Sequence, residues 1–120
     1  MIGDARGYVA DLLLAGVPVP VFDYPPATVS PPAVLVVPDS PYLRQPTLRA
    51  GDLTVGLTVQ VAVPAAAGPD AARSLDVLLE QVLAALADAS VLVGELPAPR
   101  VDTATSQLLA ELPVTVHWTE

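Results

Sequence analysis

The longest regular pattern in the chain is a strict two-residue alternation from Leu53 to Val63. Leu53, Val55, Leu57, Val59, Val61 and Val63 fall on one side, and Thr54, Gly56, Thr58, Gln60 and Ala62 on the other. Successive side chains of an extended strand point to opposite faces, so the pattern predicts a β-strand buried on one side. At about 3.3 Å per residue it spans about 36 Å, roughly twice the length of an average strand. Its second face is polar yet bears no charge. A face turned only to water usually carries Lys or Glu, whereas small neutral side chains suit a surface that another protein covers.

Two segments carry the helical period instead. Ala5, Tyr8, Val9, Leu12 and Leu13 form one stripe of a helix predicted over 4–15, with Asp4 as N-cap and Gly16 as the stop. Leu14 falls off that stripe and reads as an isolated exposed apolar residue. A second helix opens at Gly68-Pro69-Asp70, with proline in the first turn and an acid against the helix dipole. Leu75, Leu78, Leu79, Val82, Leu83 and Leu86 share one arc of it, opposite Arg73, Asp76, Glu80 and Asp88. Arg73 is three residues from both Asp70 and Asp76, the spacing of ordinary helix-surface pairing.

The remaining segments read as strands and connections. Val17, Val19 and Val21 alternate with Pro18, Pro20 and Phe22; prolines two apart remove donors along one side, which predicts a strand confined to a sheet edge, the alternative being a polyproline stretch with no ladder partner. Pro25, Pro26, Pro31 and Pro32 make 23–32 a stiff connection, and the apolar run Ala33–Pro38 predicts a buried strand. A loop is predicted over 39–52, with Pro41, Pro46 and Gly51. It carries Tyr42, Arg44 and Arg49 and is the one locally basic feature, with Tyr42 as its anchor to the body. Val91–Leu96 is weakly strand-like, Arg100–Thr105 is a further candidate, and Leu108–Trp118 alternates well. Pro113 within it predicts an edge position or a bulge. The expected order is α-β-β-β-α-β-β: one α+β domain over 1–120, a single mixed, mainly antiparallel β-sheet with two helices packed on one face.

Composition sharpens the reading of the neutral face. The 120 residues are 52% hydrophobic but only 15% charged, against about 25% charged in soluble domains. A small domain has much surface for its volume, so the deficit predicts that part of the exterior is covered by something else. No apolar run approaches the roughly 20 residues of a membrane span, and the start, Met1 to Arg6, mixes acid and base without an apolar signal core. A soluble, untargeted protein is expected. The net charge of −8 opposes nucleic-acid binding.

Catalytic chemistry is sparse. Without cysteine or lysine the chain has no disulfide, thiolate metal site, P-loop lysine or Schiff base. The single histidine, His117, lies in a predicted strand beside Trp118, where an interface residue is a more ordinary role than a base. Neither a Gly-x-Ser-x-Gly elbow nor a Gly-x-Gly-x-x-Gly run occurs. The carboxylates lack the dense glycine-containing spacing of an oxygen-rich cation loop. No catalytic, cofactor-binding or metal-ligating residue is predicted.

Three stretches in order carry a resemblance: the run from Pro32 to Tyr42, the alternating strand, and the amphipathic segment from Ser74 to Leu86. Together they resemble the small tail terminator (tail completion, head–tail joining) proteins of long-tailed bacteriophages, especially those infecting GC-rich actinobacteria. The similarity spans nearly the whole chain and lies in pattern and length rather than in a signature motif. It implies a structural virion protein of the tail or neck, assembled in the host cytoplasm. In that family a six-membered ring caps the tail tube, stops its polymerisation and presents a docking surface to the head-side connector or stopper. Its implied partners are sister copies and the tail tube protein, with DNA passing through an acidic lumen without specific binding. Subunit or tube contacts are expected at Tyr42, Arg44, Arg49, Thr54, Thr58 and Gln60. The alternatives are a connector or stopper of the neck and, from another class, a small α+β ligand-binding regulatory module.

Overall fold

The computed structural model describes residues 2–23, 32–44, 52–64, 69–87, 91–102 and 107–119. Its elements in chain order are α1 (Ile2–Gly16), β1 (Val21–Phe22), β2 (Ala33–Arg44), β3 (Asp52–Pro64), α2 (Pro69–Ala85), β4 (Val91–Val93), β5 (Arg100–Asp102) and β6 (Gln107–Thr119). The architecture is α+β, as the alternation patterns predict, with one strand more than expected because Val91–Val93 and Arg100–Asp102 both pair with β6. The sheet runs β1-β2-β3-β6-β4, with β5 also on β6. Among the described residues only the β1–β2 pair is parallel.

Both helices lie on the face made by the apolar half of β3. Val55, Leu57, Val59, Val61 and Val63 are all buried there, flanked by Val34 and Val36 of β2 and by Ala110, Leu112, Val114 and Val116 of β6. Ala5, Val9 and Leu13 of α1 join the same cluster, as do Ala71, Leu75, Leu78, Leu79 and Val82 of α2. Leu14 is exposed, as its place off the stripe predicts, but so is Leu83. At about 100° per residue, Leu83 sits about 80° from the centre of the α2 stripe, beyond the reach of the sheet. Gly68 and Asp88 lie outside the described residues.

The two helices meet at their C-terminal ends, where a Cβ on Gly16 would stand 2.8 Å from the Ala85 Cβ. Both groups are rigid, so the helices must separate to admit even a methyl. Gly16→Ala should therefore lower the unfolding free energy by about 1–3 kcal/mol. Ala85→Gly in the same chain should recover part of that loss, and urea unfolding of the four chains of this cycle measures the coupling.

Three strand expectations need correction. The edge strand predicted over 17–22 is only β1, Val21–Phe22. The Val17 N–H bonds back to the Leu13 carbonyl at 2.9 Å and prolongs the helix, and Pro20 contributes only its carbonyl, to the Val34 N–H at 2.9 Å. The predicted loop over 39–52 is strand wherever it is described, since β2 continues to Arg44 and β3 begins at Asp52. Pro38 pairs with Leu57 and Leu43 with Val55, so Asp39 to Tyr42 are taken up in a shift of register opposite Gly56. Such a shift hosts Pro41, which has no N–H for a regular ladder. Residues 45–51, including Pro46, Arg49 and Gly51, lie outside the described residues, as do Pro25, Pro26 and Pro31 of the proline-rich connection and Thr103 to Thr105.

The third correction concerns Pro113. Its strand is not at the edge, for β6 lies between β3 and the β4/β5 pair. The break occurs in the neighbour instead. The Pro113 carbonyl accepts the Gly94 N–H at 2.8 Å, so the missing proline donor faces that same side. The ladder cannot continue past Gly94 and resumes only where Arg100 pairs with Leu109. A Cβ on Gly94 would lie 3.0 Å from the Pro113 Cγ, so the peel-off point favours glycine. Gly94→Val should lower stability by about 1–3 kcal/mol through this overpacking, read as a lower urea midpoint with an unchanged slope.

Candidate functional site

The face of the sheet away from the helices is built on the neutral half of β3. Across from Thr54, Gly56, Thr58 and Gln60 stand His117, Thr115, Pro113 and Glu111 of β6. On the other side, Val37 neighbours Thr58 and Leu35 neighbours Gln60. Residues directly opposite in adjacent strands share a face, so these form one continuous surface. Among the described residues no helix lies on it. It is dry at one end, where Ala33, Leu35 and Ala62 are buried, and more open toward Thr54 and His117.

The excursion that starts at Gly94 changes the shape of this face. Residues 95–99 rise beside it, and Glu95 and Pro97 line a recess of about 190 Å³ with Asp39, Thr58, Glu111 and Pro113. A second recess of about 250 Å³ lies between Pro97, Ala98, Arg100, Leu109 and Glu111. Arg100 forms an ion pair with Glu111. Thr58 thus lines a hollow rather than a flat sheet, with the carboxylate residues Asp39, Glu95 and Glu111 beside it and none on the β3 row from Thr54 to Ala62.

Of the residues singled out from the sequence, Thr54, Thr58 and Gln60 come together as a half-buried row on this face. Arg44 pairs with Thr54 in the register of β2 and β3, placing it at the far end of that hairpin. Tyr42 belongs to the register-shifted part of β2, and Arg49 lies outside the described residues. Asp39, Glu95, Pro97 and Glu111 were not picked out by pattern. Gly94 with Pro97 and Pro99 was the available signal, since that spacing interrupts an otherwise strand-like run. His117 is exposed, and among the described residues no cluster of three or more His, Asp or Glu side chains is arranged to hold a metal ion.

A different cavity lies on the helix side. Pro18, Val19, Pro32, Val63, Val77 and Leu78 line an apolar groove of about 410 Å³ where α2 passes over the β1–β2 side of the sheet. Arg73, Ser74 and Gln81 form its polar rim. Arg73 also pairs with Asp70 at 3.4 Å, and both side chains are well exposed. Among the described residues no helix is long and apolar enough to cross a membrane. No protein-family model matches this sequence, and no curated protein matches it at a significant level.

Proposed function

We propose that this chain is a structural virion subunit of the tail terminator type. Copies of it close into a ring, six in number by the resemblance, that caps the tail tube, stops its growth and offers the head-side connector a docking surface. The observation that carries this reading is the second face of the sheet, on which no described helix lies: within the thirteen-residue β3 its row from Thr54 to Ala62 bears no charge, the strand's one acid, Asp52, standing at the very start of that row. A face left to water at the middle of a sheet has no physical need for that neutrality, and a face that meets protein does, because each buried unpaired charge costs several kcal/mol. The acidic balance of −8 per copy suits a lumen through which DNA slides without adhering. The test is tube elongation in vitro: added protein should halt growth and leave a density cap at one end in negative stain. Continued growth at saturating protein would refute the assignment.

The apolar groove of about 410 Å³ favours a second reading, a small-molecule-binding module. A metabolite screen by thermal shift separates the two, since a terminator subunit gives no reproducible rise in melting temperature with any small ligand.

A further inference from the structure

The terminator reading requires subunits that join head to tail, and a ring closed that way needs two different, complementary patches on each copy. The described surface offers such a pair on opposite sides of the sheet. At the β4/β5 edge, Leu92 is 70% exposed, Val101 58% and Leu96 38%. By register Leu92 shares a face with Thr115 and Val101 with Leu108, so the two straddle the edge, one on each face. Leu96 lies on the excursion between them. The apolar ridge is therefore Leu92 with Leu96, while Val101 lies seven residues further along β6 on the opposite face. At the β1 side lies its opposite in shape, the apolar groove under α2, in which Val77 remains 55% exposed.

Charge matches as well as shape. Glu95 lies between Leu92 and Leu96 on the ridge and is exposed. Arg73 stands on the rim of the groove, a cation in a chain that has only five. We propose that the β4/β5 ridge of one copy seats in the α2 groove of the next, with Leu92 and Leu96 against Val19, Val77 and Leu78 and with Glu95 facing Arg73. This rests on the ring reading and deepens it: the subunit–subunit contact runs from edge to groove, which leaves the Thr54–Gln60 row of β3 to the tail tube.

The absence of cysteine in the chain makes a direct test available. The double variant Val77→Cys/Leu92→Cys, oxidised in concentrated solution and on tail tubes, should give a ladder of covalent multimers on denaturing gels. Mixing the two single variants should give cross-linked dimers and nothing larger. Arg73→Glu and Glu95→Arg should each weaken association by about tenfold, and the two together should restore it, while circular dichroism shows every variant folded. If the wild-type protein sediments as a ring but the double-cysteine chain stays uncoupled and the charge reversals have no effect, this contact is wrong and the ring reading survives. If the wild-type protein is monomeric both free and on tubes, both fall.

Discussion

Gln60→Arg should abolish tube capping while leaving the subunit folded. Gln60 stands half-buried in the neutral row of β3 opposite Glu111, and an arginine there can carry its guanidinium out to water, so the isolated fold tolerates it. Under a covering protein the same guanidinium must lose its water, and Glu111 is already engaged by Arg100. Burying an incompletely paired charge at an interface costs about 2–5 kcal/mol, or roughly 30- to 5,000-fold in affinity. The expected result is an unchanged melting temperature with capping reduced by at least the lower figure. A variant that caps as well as the wild type would mean that this row meets no partner.

The largest effect on stability should come from Leu57→Ala. Leu57 is fully buried at the middle of β3, with Pro38 on one flank and Val114 on the other. Both neighbouring strands are fixed by the ladder and cannot collapse into the space the leucine leaves. Transfer and cavity contributions then add to about 2–5 kcal/mol, a large share of the 5–15 kcal/mol that holds a domain of this size together. Leu92→Ala, at the exposed ridge, should change stability by less than about 0.5 kcal/mol. Urea unfolding of the two variants side by side checks the contrast.

How far the sequence foretells this structure depends on whether a residue is governed by its own period or by a neighbour. The alternation at Leu53–Val63 and the stripe from Leu75 to Val82 are local properties, and both elements form as read, differing only at their ends. The interruptions are properties of pairs. Pro113 signals a lost donor wherever it occurs, but only the placement of β4 against β6 shows that the loss falls on the Gly94 side and lifts residues 95–99 away from the ladder. In the same way Pro38 and Pro41 look like the limits of a loop, whereas β3 is long enough to hold β2 in register on either side of the shift at Asp39–Tyr42. The candidate site divides along the same line. Thr54, Thr58 and Gln60 share a face because period two demands it. The carboxylates around Thr58 come from β2, β6 and the 95–99 excursion, and no spacing along the chain announces that they meet.

The terminator reading stands or falls on whether other protein covers the neutral side of β3, and electron cryomicroscopy of tail tubes incubated with the purified protein examines that directly. The expected density is a closed ring at the tube end with the Thr54–Gln60 row packed against a sister copy or a tube subunit. A bound protein whose Thr54–Gln60 row faces open solvent, or tube ends that stay bare at saturating concentration, would contradict it.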